Sequence, residues 1–489
     1  MPKKLKIAFI ASEVAPFSKT GGLADVARSL PKALTRLGHD VIIITPLYGQ
    51  VIDVKSHNLK LAYENIDVYL NSEDKIQVNI WRGYLMKGLP VYFIENKKYF
   101  SAKKNLYGST HENARFLVFS AAALKLITLL KFRADIVHCH DWQTGLIPYY
   151  LKTDFQYSKT LHKAKTIYTI HNLVFQFGHN WWEIEPENKD FGKKKIPHLS
   201  NPDLENINFA KRAILSADII NTVSEQYREE IMTIKFGQDL HRILRNRQDR
   251  LYGIVNGIDY AQFNPQNDPN LFKNYDYTKI HRRKLNKEHL QKLLKLKVDR
   301  DLPIIALTSR VTFQKGLDLI MQIIEPLLHL DLELVIMGDG DSKYLNQIKK
   351  YAKRHGKKMA WLPFRGNENL ETLIYAAADI FLLPSNYEPC GLNQLKAMRY
   401  GCIPLVRRVG GLSDTVTNFN PRTNRGNGFN FSQYNQYSLY ATIIRALENY
   451  RHKNTWRQLS VRAMRESNSW QIPAKKYVAL YRKALKNNK

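Results

Sequence analysis

The sequence predicts an α/β chain built on parallel sheets and divided into more than one domain. Three observations carry that expectation. At 489 residues the chain is too long for one ordinary domain, so two or three are expected. Near the start, an apolar run at Lys6–Ala11, a helix opened by Gly21-Gly22 and a second run at Val41–Pro46 make a strand–helix–strand unit. The same order resumes at Pro303–Thr308 and Leu332–Gly338.

The first run follows Met1-Pro2-Lys3-Lys4-Leu5-Lys6 and is stopped by Ser12-Glu13. It is too short for a signal-peptide core and reads as the first strand. Alternating segments at Val78–Trp81 and Val91–Ile94 predict a β-rich elaboration of the same sheet. A long buried helix is expected from about His111 to Lys131; Ser120 and Lys125 argue against a membrane span. Asp135–Trp142 and Thr166–Asn172 read as strands that end in polar residues, and Ala217–Ser224 as another strand. Val255–Asp259 and the polar stretch 263–277 mark the domain boundary. The domains are drawn at 1–257, 258–468 and 469–489. The basic run His281–Arg300 predicts a surface helix with Leu285, Leu290, Leu293 and Leu294 inward and a solvated cationic face. Strands follow at Lys358–Leu362, Ile380–Leu383 and Ile403–Val406. In the last segment, Ala474, Tyr477, Leu480 and Tyr481 recur at helical spacing and form a docking stripe.

Composition narrows the function. Lys and Arg outnumber Asp and Glu by 74 to 44, a formal charge of +30 that favours polyanions, anionic surfaces or anionic small substrates. The plainer reading is a Lys-rich solvated surface. No zinc-finger spacing, RNP-type motif or basic zipper supports nucleic acid, so nucleic acid is not expected as a partner, and neither is a membrane. Cys139, Cys390 and Cys402 are odd in number and lack CxxC spacing, which points to a reducing, cytoplasmic setting.

In parallel α/β sheets, ligands meet the carboxyl ends of strands. Glu388 lies in such a loop, between Asp379–Pro384 and a helix start at Leu395, with Gly391 behind it. A carboxylate for hydroxyls beside bare backbone N–H groups for phosphate suits a nucleotide-sugar. Lys19 before Gly21-Gly22 makes a second phosphate-cradling arrangement, although it is neither a P-loop nor G-x-G-x-x-G. Arg310 and Lys315 leave a strand end together and suit a departing diphosphate. Asp141 and Trp142 stand at another strand end. His171 either donates a hydrogen bond to a sugar hydroxyl or developing charge, or is satisfied by a neighbouring backbone group. Trp181-Trp182 is either core or a sugar-stacking platform. Two histidines at His138-x-His140, with no further ligands, do not make a metal site.

These stretches, in order, resemble bacterial glycogen synthases and plant starch synthases. The resemblance rests on Lys19-Thr-Gly-Gly-Leu-Ala-Asp-Val26, His140-Asp141-Trp142, His171-Asn172-Leu173 and Asn256-Gly257-Ile258-Asp259. It continues through Ser309-Arg310-x-Thr-x-Gln-Lys-Gly316, Glu388-Pro-Cys-Gly-Leu-Asn-Gln-Leu395 and Gly410-Gly-Leu-Ser-Asp-Thr-Val416. It implies the GT-B glycosyltransferase fold: two Rossmann-like domains facing a deep cleft, with a C-terminal helix crossing back to the first. The first domain would carry the acceptor and catalytic groups and the second the nucleotide-sugar. The implied reaction is retaining glucosyl transfer from ADP-glucose to an α-1,4-glucan, with no metal and no cofactor.

Under that resemblance Glu388, His171, Asp141, Arg310 and Lys315 are the catalytic set. Lys19, Gly21, Gly22, Asp25, Trp142, Asn172, Asn256, Cys390, Gly391, Leu392 and Asn393 bind substrate. Lys19, Gly22, Arg310 and Lys315 would hold the diphosphate, while Glu388 and the backbone at 390–392 would hold glucose hydroxyls. The chain departs from the family pattern at Gln143, at Phe177 between Gln176 and Gly178, and at Arg365-Gly366-Asn367-Glu368, where an aromatic that packs on the base is missing. The rivals are another two-domain nucleotide-sugar glycosyltransferase, using UDP-glucose or a different acceptor, and a catalytically silent glycan-binding or polyanion-binding protein.

Overall fold

Apolar runs with no polar alternation suit strands covered on both faces, and here they form the centres of two sheets. The computed structural model describes residues 3–70 and 74–486. The chain divides into two units, Met1–Asn256 with Pro473–Lys489, and Gly257–Ile472.

The strands of the first unit are β1 (Lys6–Ile10), β2 (Asp40–Pro46), β3 (Lys60–Tyr69), β4 (Lys75–Met86), β5 (Leu89–Glu95), β6 (Ile136–His140), β7 (Lys165–Ile170), β8 (Ile219–Thr222) and β9 (Leu251–Gly253). Among the described residues they form one sheet in the order β3-β4-β5-β2-β1-β6-β7-β8-β9. β4 pairs antiparallel with β3 and β5, the elaboration expected from the alternating segments, and the remaining pairs are parallel. The chain leaves β1 toward β2 and later returns on the other side as β6. A topological switch therefore falls between β1 and β6, and it opens the loops after those two strands to a ligand.

Helix Gly22–Arg36 buries Leu23, Ala24, Val26, Ala27, Leu30 and Leu34 at helical spacing. Asp25 in its first turn and Arg36 in its last suit its dipole. Helix Glu112–Leu129 is buried through nearly its whole length. The C-terminal helix Gln471–Lys486 belongs to this unit from Pro473 onward. It buries Ala474, Tyr477, Leu480 and Tyr481. Tyr477 OH accepts a hydrogen bond from Asn221 Nδ2 at 3.0 Å, and Tyr481 OH lies 2.8 Å from His138 Nδ1.

The second unit holds β10 (Ile304–Thr308), β11 (Glu333–Met337), β12 (Met359–Leu362), β13 (Ile380–Leu383), β14 (Ile403–Arg407) and β15 (Phe429–Phe431). They form a parallel sheet in the order β12-β11-β10-β13-β14-β15. Its switch lies between β10 and β13. The loops leaving those strands are the ones that carry Arg310, Lys315 and Glu388.

One expectation fails. In helix Arg283–Leu293 the buried residues are Arg283, Asn286, Lys287, Leu290 and Gln291. Leu285 and Leu293 are exposed. Polar groups face inward because charged partners wait there. Lys287 Nζ meets Asp379 Oδ2 at 2.8 Å and Tyr450 OH at 3.0 Å, and Gln291 Nε2 donates to Glu333 Oε2 at 2.8 Å. A fully paired ion buried this way is tolerated, whereas an unpaired one would not be. Among the described residues no helix is long and apolar enough to cross a membrane.

Candidate functional site

In the first unit, the chain leaving β1 carries Glu13, which is almost fully buried. Its Oε2 accepts from Thr20 N at 2.6 Å and Thr20 Oγ1 at 2.8 Å, and this fixes the loop that leads into helix Gly22–Arg36. Burial lifts the Glu13 carboxyl above its ordinary range, and the Thr20 hydroxyl and N–H partly offset that. Lys19 Nζ pairs with Asp25 at 2.7 Å, with the lysine half exposed. Gly21 and Gly22 are exposed. Gly21 is extended (φ −153°), and a methyl group there would meet only Glu13 Oε1, at 3.8 Å. Nothing in the protein itself demands glycine at 21. Its bareness leaves the backbone N–H groups open from outside.

The second cluster sits where β6 and β7 end. Asp141 has φ +56° and ψ 180°, a region costing about 1–3 kcal/mol for a residue with a Cβ. The neighbours hold it there. Its N–H donates to Thr169 O at 3.0 Å, and Oδ1 accepts from His171 N at 2.7 Å and Asn172 N at 3.4 Å. Burial pushes the Asp141 carboxyl up to about 7, against the pull of those two N–H groups. His171 Nε2 lies 2.9 Å from His140 Nδ1. Burial drives His171 down to about 3, and it drives His138 and His140 well below their ordinary range, so all three rings are neutral at neutral pH. Asn172 Oδ1 accepts from Val174 N at 3.2 Å.

Trp142 requires a correction. It is 5% exposed and packs edge-on to Phe116 (5.0 Å) and Phe209 (6.1 Å) in the core. The ring anchors the turn that carries Asp141 and offers no surface to a sugar. Conversely, Trp181 and Trp182 are not core: they form an edge-to-face pair at 5.7 Å, and Trp182 is 54% exposed.

The second unit brings together residues that the sequence separates. The loop after β10 carries Arg310, exposed, with Nη2 donating to Gln314 Oε1 at 3.3 Å. Lys315 Nζ reaches Glu388 Oε2 at 2.5 Å, with side chains only 15% and 10% exposed. Ser385 Oγ donates to the same oxygen at 3.3 Å. Sequence reasoning gave Lys315 to phosphate and Glu388 to glucose hydroxyls; the structure pairs them with each other.

Glycines make this loop possible. Gly316 has φ +76°, and a Cβ there would lie 2.2 Å from Pro384 O. At Gly410 a Cβ would lie 2.0 Å from Glu388 O. Arg407 donates to the carbonyls of Ser385 and Asn386 and stacks over Tyr434, which locks the loop from below. Cys390 is buried, and Gly391 and Leu392 are half-buried. Asn393 donates its amide to Thr308 O at 2.7 Å, which clips the start of helix Asn393–Arg399 to β10. Asn256 is buried at the end of the first unit, and its Oδ1 has no hydrogen-bond partner among the described residues.

Ser385, Gln314, Arg407, Glu13 and His140 were missed as supports. His140 alone had a readable signal, since alternation along a strand puts it on the same face as His138. Among the described residues no three His, Cys, Asp or Glu side chains group to hold a metal ion.

Comparison with known proteins agrees along the whole length. The model of the starch synthase catalytic domain matches residues 6–246, and that of the group 1 glycosyl transferases matches residues 291–460. A glycogen synthase from Geotalea uraniireducens is 40% identical over 486 residues, 98% of this chain and 99% of the relative. One from Clostridium botulinum (strain Alaska E43 / Type E3) is 40% identical over 487 residues, with the same coverage. Among solved structures, the catalytic domain of starch synthase IV from Arabidopsis thaliana, bound to ADP and acarbose, superposes with a TM-score of 0.88 at 31% identity, covering 99% of this chain and 100% of that one. Sucrose-phosphate synthase from Thermosynechococcus elongatus, at 17% identity and a TM-score of 0.62 over 98% of each chain, shares the fold.

Proposed function

Because the chain belongs to the glycogen synthase and starch synthase family of glycosyltransferases, we infer that it lengthens an α-1,4-glucan with glucose from ADP-glucose and releases ADP. The observation that carries the reading is the Lys315–Glu388 pair at the β10–β13 switch. One residue of the pair suits a phosphate and the other suits sugar hydroxyls, and both leave strand ends where ligands bind.

In the second unit, Arg310 and Lys315 take the diphosphate, while Glu388 and the backbone at Cys390, Gly391 and Leu392 take the glucose. Asn393 holds that backbone in place. As the glycosidic bond to phosphate stretches, the sugar becomes cation-like and the diphosphate gains charge. Preplaced cations favour that separation more than they favour the ground state. In the first unit, Lys19, kept in place by Asp25, and the bare backbone at Gly21 and Gly22 form a phosphate-binding surface. Asp141, His171 and Asn172 serve the reacting carbon and the incoming hydroxyl, and Asn256 binds substrate beside them. Attack on the face the phosphate leaves gives retention without a carboxylate nucleophile. The setting is the cytoplasm, and no cofactor or metal takes part.

The test is donor competition. Purified protein is given ADP-glucose or UDP-glucose with glycogen or maltooligosaccharide, and nucleotide release is followed. NMR of early product reads the new linkage. Faster ADP release with α-1,4 extension supports the assignment. Transfer only from UDP-glucose, or nucleotide release without glucan growth, overturns it.

A further inference from the structure

His140 is a buried imidazole that the proposed chemistry leaves unused. Its Nδ1 lies 2.9 Å from His171 Nε2, and its Nε2 is sealed from solvent with no hydrogen-bond partner among the described residues. Its ring centroid lies 4.1 Å from that of Phe9 and 4.0 Å from that of His138, tilted by 32° and 40°. Phe9 has no heteroatom to offer that orphan nitrogen. His138 is fully committed elsewhere, Nδ1 to Tyr481 OH and Nε2 to Thr169 Oγ1, each at 2.8 Å.

Two neutral rings sharing one hydrogen bond have only two arrangements. In the first, His140 Nδ1–H donates to His171 Nε2. The orphan on His140 is then a lone pair, and His171 carries its proton on Nδ1. In the second, His171 Nε2–H donates to His140 Nδ1. The orphan is then a buried N–H, and His171 Nδ1 is a bare acceptor. Among buried backbone groups an orphaned N–H is the rarer defect, and the same ordering is carried over here to the ring nitrogen. The two tautomers are therefore set together, and the sealed end of His140 decides between them.

We propose that His140 is a positioning residue that donates from Nδ1 to His171 Nε2 and so fixes His171 as the Nδ1–H tautomer. His171 is half-buried, and its Nδ1 hydrogen-bonds to nothing among the described residues. That N–H is then a preset donor for a sugar hydroxyl or developing oxyanion. This consequence rests on the glucosyltransferase reading; the tautomer itself does not.

The experiment labels histidine with 15N in the full chain and reads tautomers from long-range 15N–1H correlations, with His171 assigned by the loss of its signals in H171Q. The expected spectrum shows His140 and His171 both protonated on Nδ1. Protonation of His171 on Nε2 overturns the proposal. Two variants separate positioning from bulk packing. In H140F the His171 tautomer should change, and kcat should fall about tenfold with little change in donor KM. H140N keeps an amide donor near the Nδ1 place and should recover most of that loss. H140F with an unchanged His171 tautomer also overturns the proposal. A glucosyl-transfer assay with no activity, beside an Nδ1–H His171, would sink the functional reading and leave the tautomer standing.

Discussion

Glu388→Gln should tighten ADP binding even as it slows transfer. Lys315 and Glu388 meet at 2.5 Å with both side chains largely shielded from water, so salt screens the pair little. If Lys315 serves the diphosphate, a ligand must compete with Glu388 for it. A charge-assisted hydrogen bond contributes about 1.5–3 kcal/mol. The amide still offers a neutral oxygen, so the substitution releases only part, about 1–2 kcal/mol, or a factor of roughly 5–30 in ADP affinity. Calorimetric titration with ADP reads this directly in wild type, E388Q, K315M and the double variant. The gain should vanish in the K315M background, because it acts through the lysine. E388Q should also lower the melting temperature, since it leaves Lys315 buried beside a neutral group. ADP affinity that is unchanged or weaker in E388Q, or a gain that persists in K315M, would refute the argument that one lysine is shared between carboxylate and diphosphate.

Gly21→Ala should leave the unfolding midpoint nearly unchanged, because φ is −153° and its nearest non-local neighbour is at 3.8 Å, while glucosyl transfer falls if bare backbone meets phosphate there. Gly316→Ala should instead destabilise the second unit, because φ is +76° and the methyl would strike Pro384 O at 2.2 Å; chemical denaturation separates the two. Asp141, raised to about 7 from 3.8, contributes stability that is fully present below pH 4 and lost as pH rises through 7. Asp141→Asn should therefore gain on wild type between pH 5 and pH 8 in urea melts, under a ceiling of about 4 kcal/mol at about 1.4 kcal/mol per unit. Tyr481→Phe strips His138 Nδ1 of its partner and should cost about 1–3 kcal/mol of stability, with hydrogen exchange rising at β6 and the C-terminal helix.

The sheets were legible because doubly covered strands must be apolar throughout: Ile7–Ile10, Ile42–Ile44, Ile304–Leu307 and Ile380–Leu383 have no polar face to hide. Single residues at strand ends were legible for the same reason, since polarity begins where cover stops. Glu388, Lys315 and Asp141 announced themselves that way. What the residues did not announce was their partners. Lys315 and Glu388 are 73 positions apart, and they meet because β13 lies beside β10 while β11 lies on its other side. Strand order is a property of the whole chain, and no local pattern encodes it. The misread helix Arg283–Leu293 has the same origin. Leucine spacing argued for one face, but Asp379 and Glu333 lie under another, and Lys287 and Gln291 pair with them there while Leu285 and Leu293 stay exposed. Trp142 failed differently: it follows a strand end in sequence, yet its side chain turns back toward Phe116, and only Asp141 before it faces out of the core. A polar residue at a strand end remains a candidate ligand on the sequence alone, whereas an aromatic beside it is better read as core, because the aromatic gains more from burial than from display. Partners follow only once the strand order is known. β6 beside β7 sets Asp141 against His171, and β10 beside β13 sets Lys315 against Glu388.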